Sequence, residues 1–445
     1  MSRAWCGGLA VFFSIAGCGG TGPARGLQWQ APTALSPPAG SGAAPAFAVS
    51  QTGRVTAAWT GARGGGSDGR LMVRPDVGQP ADVELRDPLG WLTIYGETPP
   101  KLAYGPDGML YAAYLLTKAE PGHEWPTNTL RLATSVDGGR HWAAAVTVQA
   151  DTANGGSTDD HALLAAPDGT IYLSWLALRH DTSHVYVAWS RDHGQSWSRP
   201  TAIELGAACP CCRTALAVGP DGRLFASWRR IFGYGDTTQV RDIVVASTAD
   251  RGATWSAPVK VHADDWHVDY CPDAGPTIKV GSDGVVHVAW WTGAPGAAGV
   301  RYTQSRDGGR SFERPVALGV ARVSRAAHAQ LVVDDRQRVI VAWDDGTRQV
   351  PAIVVKVSMD GGRKFGPGDA LSAAGQSAGY PVVAVARDSV FVAWQERTPA
   401  AAAADSTRME RAMAGMKTGP ALAAPDSFIN RVGSWSVLMR RAALP

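Results

Sequence analysis

Residues 190–197 read S-R-D-H-G-Q-S-W. A hydroxyl residue, an aspartate two places on, a glycine two further and an aromatic at the end make a compact turn. The carboxylate caps backbone N–H groups of its own turn. Glycine takes positive φ without steric cost, and the aromatic offers a large apolar face. The pattern returns as SVDGGRHW (135–142), TADRGATW (248–255), SRDGGRSF (305–312) and SMDGGRKF (358–365). Asp137, Asp192, Asp250, Asp307 and Asp360 therefore read as structural aspartates.

A second pattern alternates strictly with the first: a turn, then an apolar strand ending in Ala-Trp or a close variant. Its copies are QTGRVTAAW (51–59), PDGMLYAAY (106–114), PDGTIYLSW (167–175), PDGRLFASW (220–228), SDGVVHVAW (282–290), DRQRVIVAW (335–343) and RDSVFVAW (387–394). The spacing is 51 to 62 residues. A period near 50 built from short strands predicts a β-propeller with one four-stranded antiparallel blade per repeat. Seven copies predict seven blades, with six as the alternative. The first blade, LMVRPDVGQPADVEL (71–85), keeps its strands but not the aspartate turn. The last lacks an outer strand. Residues 29–36, W-Q-A-P-T-A-L-S, match the outer-strand register of W-S-A-P-V-K-V (255–261) and are expected to complete that blade and close the ring, removing free sheet edges. Ten of the 17 Trp residues occupy repeat positions, counting Trp29, and read as core.

The aspartate turn resembles the Asp-box (BNR) repeat of the sialidase superfamily, over residues 27–396. The resemblance implies a β-propeller with its Asp boxes on the face opposite the functional one. It implies six blades, so a count of seven is a departure.

Outside the repeats, residues 1–18 (MSRAWCGGLAVFFSIAGC) have the charge, short apolar run and small-residue end of a secretory signal. The ending I-A-G-C resembles a bacterial lipobox, which implies lipidation at Cys18 and an exported protein anchored to the cell envelope. Residues 19–26 read as a flexible tether, and 397–445 as an Ala-rich C-terminal segment with room for one strand. Net charge is +3 over 445 residues without a basic run, which excludes nucleic acid as the expected partner. The membrane is expected to be met through the lipid alone, and the protein to be monomeric.

Export permits disulfides and leaves Cys209, Cys211, Cys212 and Cys271. Repeat alignment of CPCCRTALAVGPDG (209–222) with CPDAGPTIKVGSDG (271–284) puts Cys209 and Cys271 at matching places in adjacent blades, on the loops entering strand A. Three readings compete. Structural disulfides would join Cys271 to one of the other three. A thiolate site with His267 and Asp269 suits copper or zinc. Cys209 and Cys212 form an exchangeable dithiol in the third.

The same face collects other polar residues. Counted back from the strand-B aromatic, Asp160, Arg213 and His328 share one position, and His161 and Tyr380 the next. Arg229, Arg230 and Asp242 flank the B–C loop of blade 4; Glu97, His123 and Glu124 fall in blade-2 loops. These are candidates for a polar or anionic ligand. A sialidase needs three substrate arginines, a Tyr–Glu nucleophile pair and an acid/base Asp. Arg213 and Arg229 supply two arginines; the third and the Tyr–Glu pair are missing. Three functions follow: a module binding a glycan, polymer or protein at the channel mouth; a glycoside hydrolase or lyase with an unusual site; and a metal- or redox-linked envelope protein using the cysteines.

Overall fold

The computed structural model describes residues 26–37, 42–61, 69–92, 96, 98–118, 127–150, 158–179, 182–235, 239–268, 270, 272–320, 326–347, 350–398 and 435–445. Cys18, Asp269, Cys271, Glu97, His123 and Glu124 lie outside these residues.

Seven antiparallel sheets stand in a ring, each a blade of four strands A to D from the axis outward. Blade 1 runs from Gly42 to Leu85 and blade 4 from Ala215 to Lys260. Blade 2 is interrupted: its strand A, Lys101–Tyr104, is extended toward the mouth by Trp91–Leu92 pairing with the same neighbour. Blade 7 is composite. Ser377–Ala386 and Ser389–Arg397 are its inner strands, the C-terminal Ser436–Ala443 is its third, and Thr33–Ala34 is the outermost. The N-terminal strand thus closes the ring, as its register predicts. Trp29 extends the pairing by a bridge to Ala442 and donates its indole N–H to Asp369 of blade 6 at 3.0 Å.

Apolar alternation explains why blades stack. Strand side chains point to opposite faces, so each blade has two apolar faces to cover. Seven apolar clusters answer this, one between each neighbouring pair; the last joins Val55, Ala57 and Trp59 of blade 1 to Phe391, Ala393 and Met439 of blade 7. Trp59, Trp175, Trp228, Trp290 and Trp394, at the ends of strand B, are fully buried in them.

The Asp boxes sit at the C–D turns. In each, the Ser or Thr hydroxyl donates to the aspartate at 2.6–2.8 Å. The same oxygen accepts the glycine N–H. Residues three to four beyond the aspartate donate backbone N–H groups to its carboxylate. Gly362 shows why glycine is needed: its φ is +86°, and a Cβ there would lie 1.9 Å from the Tyr302 hydroxyl. With these turns on one face, the D–A and B–C loops form the mouth on the other.

Candidate functional site

Strand pairing fixes which residues share a level at the mouth. Ala162 pairs Ser174, Ala215 pairs Ser227 and Gln330 pairs Ala342. Two places before each first partner stand Asp160, Arg213 and His328, so that part of the sequence reading holds. Blade 7 corrects the rest. Its Val382 pairs Ala393 across a hairpin one residue shorter than in blade 3, where Ala162 pairs Ser174. Tyr380 therefore stands level with Asp160 and not with His161. Backbone angles agree: Ala44, Asp160 and Tyr380 have φ of 52°, 50° and 53°, each at a bulge at the start of strand A. Left-handed backbone at a non-glycine residue is strained and concentrates at functional sites.

The best-formed polar group at this level is His328, Asp344 and Tyr380. The His328 backbone N–H donates to Asp344 Oδ1, and Nδ1 donates to Oδ2, each at 2.5 Å. Nε2 faces the Asp273 carbonyl oxygen at 3.0 Å. Both ring nitrogens thus meet acceptors, an arrangement that suits the imidazolium. Burial pushes the Asp344 carboxyl up, but the charge and hydrogen bonds of His328 outweigh it and hold it below the usual range. The half-buried Tyr380 ring stacks on His328 with centroids 4.1 Å apart, and its backbone N–H reaches Asp344 Oδ2 at 3.4 Å. Gly96, from the loop leading into blade 2, passes the same ring so closely that a Cβ would lie 2.5 Å from it.

Arg213 and Asp160, at the same level in blades 4 and 3, are buried at 5% and 4% exposure, and so are not solvated rim charges. Asp160 also braces blade 4, its carbonyl accepting from Thr214 N–H and Oγ1.

Other candidates have structural roles. Arg229, read as a substrate arginine, is 1% exposed. Its guanidinium donates to the carbonyls of Ala274, Trp291 and Arg241 at 2.7–3.3 Å and lies over Trp266. It fastens blade 4 to blade 5 and faces the interior. Arg230 pairs with Glu204 at 2.8 Å. Asp242 accepts from Lys260 at 2.7 Å and from the Trp266 N–H. His161 is fully buried; its Nε2 donates to the Ala113 carbonyl at 3.2 Å. Burial and Lys101 lower its pKa to about 3. His267 is exposed, and the sulfur cluster does not include it.

Three sulfurs form the second group. Cys209, Cys211 and Cys212 lie within 4.8 Å of one another. Cys209 and Cys212 are buried free thiols, and Cys212 S–H donates to Cys209 Sγ at 3.2 Å. Cys211 Sγ is 3.7 Å from Cys209 Sγ and is disulfide-bonded. Arg241 Nη1 donates to Cys209 Sγ at 3.5 Å and to the Tyr270 carbonyl at 3.0 Å. The hydrogen bond from Cys212 offsets burial and, with Arg229 and Arg241, lowers the Cys209 pKa to about 6, while burial pushes Cys212 well up.

Residues 91–269 match the BNR repeat-like domain. The chain is a seven-bladed β-propeller that carries a BNR repeat-like domain over residues 91–269. Among curated proteins no sequence matches this chain. Among solved structures it is similar to a Dyadobacter fermentans protein of unknown function, with TM-score 0.52 and 16% identity, covering 94% of this chain and 100% of that one. It is also similar to a polysaccharide lyase, an ulvan lyase bound to -[GlcA(1-4)Rha3S]-, with TM-score 0.53, 12% identity and coverage of 80% and 92%. A Hadza microbial sialidase gives TM-score 0.48, 16% identity and coverage of 74% and 72%. At these identities the likeness concerns the fold.

Sequence reasoning missed Asp344, Asp273, Arg241 and Trp266. One signal was available for Asp344. The residue after the strand-B aromatic lies at the mouth end of its strand, and in blades 4, 6 and 7 it is Arg229, Asp344 and Gln395. Each bonds backbone at the strand-A level: Ala274 O, His328 N–H and Ala44 N–H.

Proposed function

We propose that this BNR propeller binds an acidic or hydroxyl-rich glycan at the channel mouth. The observation behind this reading is Tyr380, a half-buried aromatic in left-handed backbone, stacked on a histidine fixed by a buried carboxylate. A half-buried tyrosine at that place presents to the mouth the part of its ring that His328 and Gly96 leave uncovered, and sugars pack on such aromatic surface. Arg213 and His328 stand at the same level as Asp160 and Asp344, so the mouth offers both donors and acceptors for the hydroxyl and acidic groups of a sugar. The acidic sugar in the ulvan lyase structure supports the choice of ligand class.

Affinity electrophoresis through gels containing uronic-acid polysaccharides tests this. Tyr380→Ala is expected to weaken retardation about tenfold or more, the scale of one lost anchor residue, at an unchanged unfolding midpoint. Equal retardation of variant and wild type would refute the mouth as the site. Release of shortened or unsaturated sugars by the wild type would turn the module into an enzyme. Anchoring to the envelope belongs to the same reading and rests on I-A-G-C: Cys18→Ser is expected to abolish partitioning into detergent.

A further inference from the structure

The turn C-P-C-C at 209–212 lies outside the His328–Asp344–Tyr380 group, and its geometry has a chemistry of its own. Three sulfurs so close would suit a soft cation. One observation opposes it. Cys211 is already covalently engaged. What remains is a buried dithiol beside a disulfide. Cys209 and Cys212 have the C-x-x-C spacing, their sulfurs are 3.2 Å apart, and the next sulfur along, Cys211, is 3.7 Å away. Cys209 is fixed by its N–H to the Arg229 carbonyl at 2.8 Å, and Cys212 by its N–H to the Cys209 carbonyl at 3.4 Å. The charge environment agrees: two guanidiniums and a thiol donor favour the Cys209 thiolate.

We propose that the CPCC turn is an internal thiol–disulfide exchange site, in which the buried Cys209–Cys212 dithiol takes over the disulfide held by Cys211. Cys209 thiolate attacks Cys211 Sγ; the bond from Cys211 to its partner breaks, and the partner leaves as a thiolate. Cys212 then attacks Cys209 Sγ, breaking the new Cys209–Cys211 bond and releasing Cys211 as a thiolate. The Cys212 proton ends on the partner thiol. One disulfide and two reduced sulfurs are present before and after, so no outside oxidant is needed. The outcome exchanges a tie between Cys211 and a distant cysteine, for which the sequence expects Cys271, for a local ring inside one turn. Cys209 and Cys212 are sealed from solvent while Cys211 is half-buried. The exchange therefore carries reducing equivalents from the interior toward the surface.

The test uses the folded full-length protein purified without reductant. It is incubated with N-ethylmaleimide, quenched, reduced, alkylated with iodoacetamide and mapped by peptide fragmentation. Wild type is expected to accumulate maleimide on Cys211 while Cys209 and Cys212 become oxidised. In Cys209→Ser, labelling of Cys211 should slow at least tenfold. Cys212→Ser removes the second attack and should trap the Cys209–Cys211 bond, which keeps the test decisive if the first variant does not fold. Maleimide on Cys209 and Cys212 with Cys211 still oxidised would overturn the proposal. So would stoichiometric copper or zinc on three reduced sulfurs.

Discussion

Arg229 and Tyr380 mark the two sides of what single residues do at this mouth. Both lie near the axis, and both are the kind of residue a glycan site uses. Arg229 spends its donors on three carbonyls of blades 4 and 5. Lysine keeps the charge but lacks the planar fork, so Arg229→Lys leaves buried carbonyls unpaired. That is expected to cost about 2–3 kcal/mol in urea unfolding, with glycan binding per folded molecule unchanged; a binding loss at full stability would show that Arg229 is a ligand residue after all. His161 makes a pH prediction. Its folded pKa of about 3 lies below the ordinary 6.5. The unfolded chain therefore takes up a proton as pH falls through 6.5, while the native state does so only near 3. The stability involved is present above pH 6.5 and lost on acidification, by about 2 kcal/mol between pH 7 and pH 5. His161→Leu should remove that part of the drop. Buried His287, lowered to about 4 for the same reason, keeps a similar slope in the variant. None of these roles was legible in the sequence. Residue type and strand register locate a side chain along the axis, but not which carbonyls its atoms reach.

Whole elements were far more legible, because their signals are local. Each Asp box closes on itself within eight residues, so S-x-D-x-G-x-x-W specifies the turn wherever it occurs. The strand-B runs are apolar on both faces, as strands packed between two blades must be. Legibility ended where an element depends on a distant segment. Strand C of blade 7, Ser436–Ala443, has no Asp box after it and follows residues that fit no repeat, so the sequence leaves room for one strand in 397–445 but only the pairing with Ser389–Arg397 places it. The shorter A–B hairpin of blade 7 is a second case. Counting back from Trp394 assumes equal turns, and Arg387, at φ 53° in a turn of two residues, breaks that assumption. The resulting slip of one place moved Tyr380 off the level of Asp160. In a strand, one place is the difference between opposite faces.

The molecule as a whole is a ring whose seven inter-blade clusters are alike in kind, and its stability depends on the one closure that the chain does not make by simple succession. Blade 7 takes two strands from residues 377–397, one from the C-terminus and one from the N-terminus. The outermost contribution is short in paired length, Thr33–Ala34 with the bridge at Trp29. Its side contacts are broader than that. Leu35 is buried in the cluster joining blades 7 and 1. Ser36 Oγ accepts the Val437 N–H at 2.8 Å. Leu27 N–H and the Trp29 indole both donate to Asp369 in blade 6. Arg74 of blade 1 donates to the Leu35 carbonyl at 3.0 Å. Eleven residues therefore touch three blades, and they clamp the third strand of blade 7 from outside. Deleting 26–36 exposes the outer edge of Ser436–Ala443, uncovers the apolar surface that Leu35 and Trp29 cover, and leaves Asp369 and Arg74 short of partners. Leu35 alone represents about 1.5–3 kcal/mol of burial. The deletion is expected to cost about 3–5 kcal/mol in denaturant unfolding and to raise the tendency to associate through the new edge, read by light scattering. Trp29→Ala should give a smaller loss, because the strand and Leu35 remain. If the truncated protein unfolded at the wild-type midpoint, the ring would be closed by the C-terminal strand alone, and the N-terminal segment would be a tether resting on a finished propeller.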